Sequence, residues 1–325
     1  MKHLAFKYLA FGALTAPLVL SAACKPDLGA PPSLVEGLRV LAVRGAPAEA
    51  PEGTQVTYDM LAVDVTGRIA TPPTTWAVCN ERKPPADSNA VSAACLSIPD
   101  AAGPAPTFMA PMPSGACKRF GPQPDVDKDG MAVRPTDPDV TGGFYQPVRA
   151  NLIVTDRGAA TAFAMERLRC RLANAPADVA SMFAKLEPNK NPVLARLTLD
   201  PAGAPVDLFA AGRAPLDPPI WVSPGASYDL EAAWTPETPE SFPVWTASTE
   251  SLDEHRESLS VAWYATGGSF HHDSTGRGEE ETELSTDNVW TAPTETGLVH
   301  FWIVVRDSRG GLDFAEASVL VGAPQ

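Results

Sequence analysis

The chain lacks most of the signals by which catalytic or nucleic-acid-binding proteins announce themselves. Its 325 residues contain only 5 histidines, and no G-x-S-x-G elbow or cysteine-histidine signature for nucleophilic catalysis is present. Phosphate-cradling G-x-x-x-x-G-K and G-x-G-x-x-G runs are also absent. Positive charge is scarce: 25 Lys and Arg stand against 39 Asp and Glu, a formal charge of −14. Such a surface repels nucleic acid and anionic lipid, so neither is expected as a partner through charge. An apolar segment from about Leu9 to Leu20 falls short of the roughly 20 residues that cross a bilayer. Long periodic helical stretches are few, and 34 prolines with 24 glycines favour strands, turns and long loops over helix.

What is present begins at the amino end. "MKHLAFKYLAFGALTAPLVLSAAC" has a basic start at Lys2 and Lys7, an apolar middle and small residues before Cys24, the layout of a secretory signal peptide over residues 1–23. Leu20, Ser21, Ala22 and Ala23 ahead of Cys24 resemble the lipobox of bacterial lipoproteins, with Ser21 where that motif usually has Leu. The resemblance implies acylation of Cys24 and a mature chain of 302 residues held to a membrane by lipid. Two or more acyl chains make a stable anchor where one does not. In that family an Asp after the cysteine favours inner-membrane retention. Lys25 stands there instead, so the resemblance implies the bacterial outer membrane, with the body facing the periplasm or the surface. Residues 24–36, rich in Pro and Gly, read as a tether.

The remaining cysteines, Cys79, Cys95, Cys117 and Cys170, are even in number, and an exported chain would pair them. Three pairings are open. Cys79–Cys95 with Cys117–Cys170 is preferred, because the first closes a short local loop.

The rest is read as mainly β, in two sandwich modules at 37–190 and 191–325. Val56, Tyr58, Met60 and Ala62 alternate on one face, as do Leu259, Val261, Trp263 and Ala265. A hairpin is expected to turn at Asp156–Gly158 and another at Asp307–Gly311. Residues 80–143, full of prolines and without apolar period, read as a long insertion. A helix is expected over 175–187, with Val179, Met182, Phe183 and Leu186 on one face. The segments "FYQPVRANLIVTDRGAATAFA" and "NVWTAPTETGLVHFWIVVRDSRGGLDFA" share an order of aromatic, Pro, strand, Asp-Gly turn and Phe-Ala return, suggesting an internal repeat. Trp263 in "VAWYATGG", "WTAP" at 290–293 and "VVRDSRGG" at 304–311 resemble bacterial immunoglobulin-like or PKD-like domains, which implies β-sandwiches with a tryptophan filling the core.

Three groups are candidates for chemistry or binding. Asp125, Asp127 and Asp129 in "DVDKDG" match the opening of a calcium loop, where hard oxygens converge on one ion, with Asp137 or Asp139 as later ligands. His271, His272 and Asp273 sit together, but neighbouring strand residues point to opposite faces and chelate poorly. Trp234, Trp263 and Trp302 are expected in the core. Trp221 and Trp245, near prolines, are the expected exposed aromatics for a glycan. The expected function is therefore a lipid-anchored envelope protein, structural, adhesive or protein-binding and without catalysis. The alternatives are a calcium-stabilised carbohydrate-binding module and a hydrolase of unrecognised type.

Overall fold

The computed structural model describes residues 30–83, 91–122, 124–133, 144–172, 175–201, 203–209, 215–246 and 248–323. The expected leader at 1–23, Cys24, Asp137 and Asp139 lie outside the described residues.

In the first half the strands are β1 (Arg39–Ala46), β2 (Glu49–Ala50), β3 (Gln55–Asp64), β4 (Gly67–Arg68), β5 (Thr74–Val78), β6 (Phe108–Pro111), β7 (Tyr145–Val154) and β8 (Gly158–Leu168). Strand β3 pairs with β1, β4 and β6 in one sheet; the facing sheet runs β2-β8-β7-β5. The alternating Val56, Tyr58, Met60 and Ala62 of β3 face the core with Trp76, Val148, Ala150 and Leu152. The β7–β8 hairpin turns where expected, with Asp156 and Gly158 both at positive φ. Leu61 and Val63, on the other side of β3, are also fully buried, so that face is covered too.

The second half holds β9 (Leu194–Asp200), β10 (Val206–Asp207), β11 (Ile220–Val222), β12 (Ser227–Trp234), β13 (Ser241–Thr246), β14 (Ser251–Arg256), β15 (Leu259–Ala265), β16 (Ser269–Phe270), β17 (Ser274–Arg277), β18 (Ser285–Thr291), β19 (Gly297–Asp307) and β20 (Leu312–Val321). One sheet is β10-β9-β12-β18-β16 and the other β11-β20-β19-β15-β17, with β13–β14 a separate hairpin. Trp234, Trp263 and Trp290 fill the space between the sheets.

The halves share a plan. In each, a short strand runs parallel to the last strand, β2 beside β8 and β11 beside β20. That last strand forms a hairpin with its predecessor, which pairs in turn with a strand carrying a buried Trp, Trp76 on β5 and Trp263 on β15. This is the immunoglobulin-like sandwich pattern. The repeat thus holds for strand and turn but not for the aromatic. Tyr145 starts the hairpin strand itself, whereas Trp290 lies on β18 in the opposite sheet.

Two expectations need correction. The stretch 80–143 is not wholly an insertion: β6 pairs with β3 and sends Phe108 and Ala110 into the core, followed by Met112 and by Ala116 of α1 (Ala116–Phe120). Prolines at 106, 111 and 113 hide this period, yet Pro111 is tolerated at the end of a strand that pairs on one side only. The second helix, α2 (Ala177–Phe183), stops earlier than expected and buries none of its residues; Met182 is exposed. The apolar face is only partly covered because seven residues make barely two turns.

A third apolar cluster explains the covered face of β3. Val35, Leu41, Ala42, Leu61 and Val63 of the first half pack against Trp302, Val304 and Phe314 of the second. Trp302 is therefore buried as expected, but between the sandwiches and not inside one.

Candidate functional site

Charged side chains border this apolar seam, and they converge on the short connection Asn189–Asn191. The Asn189 backbone N–H donates to Glu49 (2.7 Å), and its side-chain amide reaches Asp307 (3.4 Å). Lys190 N–H donates to Glu240 (3.0 Å). Asn191 donates to the Gly45 carbonyl (2.8 Å) and accepts from Leu312 N–H (2.9 Å). The connection is thus hydrogen-bonded to both halves. On the far side Arg44 forks onto Asp59 (2.8 and 3.1 Å) and reaches Asp313 (2.8 Å), while Asp313 accepts from Leu194 N–H (3.0 Å). The Arg44 guanidinium also lies over Phe314.

Arg309 is the centre of the cluster. Its position comes from the β19–β20 turn, where Asp307 accepts from the N–H of Arg309 and of Gly311. A Cβ on Gly311 would strike the Asp307 carboxylate and the Lys190 carbonyl, so the turn needs glycine there. The buried Arg309 guanidinium meets Glu49 (3.2 Å), Glu257 (3.4 Å) and Glu240 (3.8 Å) and stacks over Phe242. Arg167 adds a second contact to Glu49 (3.5 Å).

Acids outnumber bases in this buried region, and protons make up the difference. Burial, reinforced by Asp307, pushes the Glu257 carboxyl up to about 8 despite Arg309. Burial, with Glu49 adding to it, pushes Glu166 up to about 9. Asp307 is raised by burial against the hydrogen bonds that favour its charge. The Tyr58 hydroxyl, buried beside Glu166, is raised as well. Near neutral pH, Glu257 and Glu166 are therefore held largely protonated. A cavity of about 270 Å³ opens onto the cluster between Glu49, Arg167, Arg309, Phe183 and Phe242. The arrangement can store protons and fix geometry.

Sequence reasoning missed these residues, although a signal existed. Asp313 occupies the inward series of Ala315, Ala317, Val319 and Val321, and Glu166 that of Ala162, Ala164 and Leu168. A carboxyl at an inward strand position must find a partner or a proton.

The residues that the sequence did nominate fare unevenly. The disulfides are Cys79–Cys95 and Cys117–Cys170, the preferred pairing. In the calcium-loop candidate, Asp125 pairs with Lys118 (3.0 Å), Asp129 with Lys128 (3.1 Å), and Asp127 accepts from the N–H of Asp129 and Met131. Each of these carboxylates has a local donor. Among the described residues no group of three or more His, Cys, Asp or Glu is placed to hold one ion. His271 and His272 lie with rings side by side, because the chain leaves β16 just before them and strand alternation ends there. Trp221 is exposed as expected. Trp245 is buried instead, since Pro243 marks a place within the β13–β14 hairpin and not a loop. Among the described residues no helix is long and apolar enough to cross a membrane.

No protein-family model matches the chain, and no curated protein matches it in sequence. Among solved structures it is similar to the D00–D0 domain of intimin, at 9% identity over 88% of this chain and 99% of that one, with a TM-score of 0.21. It is similar to the same degree to domains 4 and 5 of the S-layer protein SbsC, at 9% identity over 88% and 100% of the two chains, with a TM-score of 0.20.

Proposed function

We propose that the protein is a lipid-anchored envelope component whose two sandwiches act as a rigid, non-catalytic spacer that presents a surface to a partner. The observation that carries this reading is the fastened connection at Asn189–Asn191: a linker that bonds to both halves, flanked by ionic contacts and an apolar seam, suits a fixed spacer. The two disulfides suit an oxidising compartment outside the cytoplasm. The lipobox-like residues before Cys24 supply the attachment.

Two measurements test the two parts. Intact-mass analysis of the native product should show acylated Cys24, and Cys24→Ala should move the protein from the detergent phase to the aqueous phase. An unmodified Cys24 with the native protein already aqueous refutes the anchor. Spin labels at exposed Met109 and Glu295, introduced as Met109→Cys and Glu295→Cys, should give one narrow distance between the halves. A broad or multimodal distribution refutes the rigid spacer.

A further inference from the structure

We infer that the cavity beside the Cys117–Cys170 disulfide is a binding site for a small amphiphilic anion, an apolar body with a carboxylate or phosphate head. The cavity measures about 770 Å³, within the roughly 300–1,000 Å³ of small-molecule sites. Much of its lining is apolar: Pro51, Pro122 and Pro124, Ala180 and Phe183 of α2, and the disulfide. Neutral hydrogen-bonding side chains are absent from this lining, so a neutral polar ligand finds little to bond.

The charges at the cavity are cationic, in a chain of net charge −14. Arg169 and Arg171 line it beside Lys118, which is held by Asp125 (3.0 Å), with Glu52 as the acid among the lining residues. Glu52 is already engaged, since its two carboxylate oxygens accept from the N–H of Gly115 (3.0 Å) and Cys117 (2.8 Å). Arg169 donates to the carbonyls of Ala184 and Leu186, which fastens the end of α2 over the site and leaves its positive charge uncompensated by a carboxylate. Arg171 is exposed, with no ion pair to a described residue. Arg169 and Arg171, just past the end of β8, thus bring two arginines to the same cavity on either side of Cys170. An entering head group meets this positive rim while its apolar body displaces water from proline and phenylalanine.

The site does not depend on the anchor or on the spacer role. The test uses the Cys24→Ala chain with both disulfides intact. Decanoate and decyl phosphate, each kept below micelle formation, are titrated calorimetrically beside decanol and decyltrimethylammonium. Both anions should bind at least tenfold more tightly than decanol, and the cation should not bind. Arg171→Glu should weaken the anions at least tenfold. Ala180→Trp, which fills the space and keeps every charge, should abolish binding. Binding of decanol as tight as decanoate, no binding of either anion, or affinities unchanged in both variants overturns the site. Co-pelleting with phosphatidylglycerol vesicles that Arg171→Glu abolishes identifies a lipid head as the source; decanoate binding without co-pelleting identifies a free acid.

Discussion

The two sandwiches reach similar topology by different energetic means. Among the described residues the second core contains 24 buried apolar residues, three of them tryptophans, and shows no disulfide. Among the described residues the first has 16, six of them alanine, with Trp76 as its tryptophan. Less apolar area is removed from water there, at about 25 cal/mol per Å². Both disulfides lie in this half, closing spans of 16 and 53 residues around its proline-rich connection. Cross-links that restrict the unfolded chain offset a thin core. The comparison teaches that one fold plan can draw its stability from packing or from covalent closure.

The strongest way to break this comparison is to hollow the richer core. Trp263 is fully buried and its indole donates to Thr275. Trp263→Ala should cost about 3–5 kcal/mol, read as a drop in urea midpoint of the same size with and without reductant. Next comes removal of the cross-links. Chain-entropy reasoning assigns about 4 kcal/mol to the 53-residue closure and about 3 kcal/mol to the 16-residue one. Cys117→Ser with Cys170→Ser should therefore lower protection from hydrogen exchange in β3–β8 and leave β12–β20 protected. Equal loss in both halves would show that the thin core does not rely on its disulfides.

Much of this contrast was legible in the sequence. Period-two alternation in Val56–Ala62 and Leu259–Ala265 located the strands, and even cysteine number located the covalent closure. Strand β6 was hidden because prolines bracket Phe108 and Ala110, and a proline-rich run reads as loop until its partner strand is known. The charged seam was hidden for another reason. Arg44 and Asp313 are 269 positions apart, and Glu49 and Arg309 are 260 apart. Local pattern gives the face of each residue but not which distant charge will meet it. Trp302 makes the same point: burial was predictable from its strand, whereas burial between two modules required knowing that both outer faces are apolar.

A smaller effect probes the side of the first core that faces the seam. Gly45 lies beside Glu166 and Tyr58, and an added Cβ would fall on the Glu166 carboxylate. Gly45→Ala should destabilise by about 1–3 kcal/mol through overpacking, measured by denaturant titration. Gly267→Ala in the second half meets only Pro293 and Val299 at 3.4 and 3.5 Å and should be milder.

The smallest effect per step is the most specific to the buried acids. Glu257, pushed up to about 8, and Glu166, up to about 9, ionise near 4.3 once unfolded. Between those values the native state binds protons that the unfolded state has lost, so stability is greatest at the acid end of this window. It declines as pH rises from about 4.3 toward the folded values, by at most about 1.4 kcal/mol per pH unit for each group. Above the folded values that contribution becomes flat. Glu257→Gln keeps the shape and removes the titration, so thermal midpoints measured from pH 5 to pH 9 should decline less steeply than in the native chain. Glu166→Gln should also lessen the decline across the window and remove most of what remains above the folded value of Glu257, and the double variant should lessen it further. Since Glu257 meets Arg309 of the β19–β20 turn while Glu166 sits on the inward face of β8, the two slopes report the seam from opposite sides. A slope unchanged in Glu257→Gln but abolished in Glu166→Gln would place the proton store inside the first sandwich alone, and the seam would then be held by the charge pairs of Arg309 and Arg44 without help from protonation.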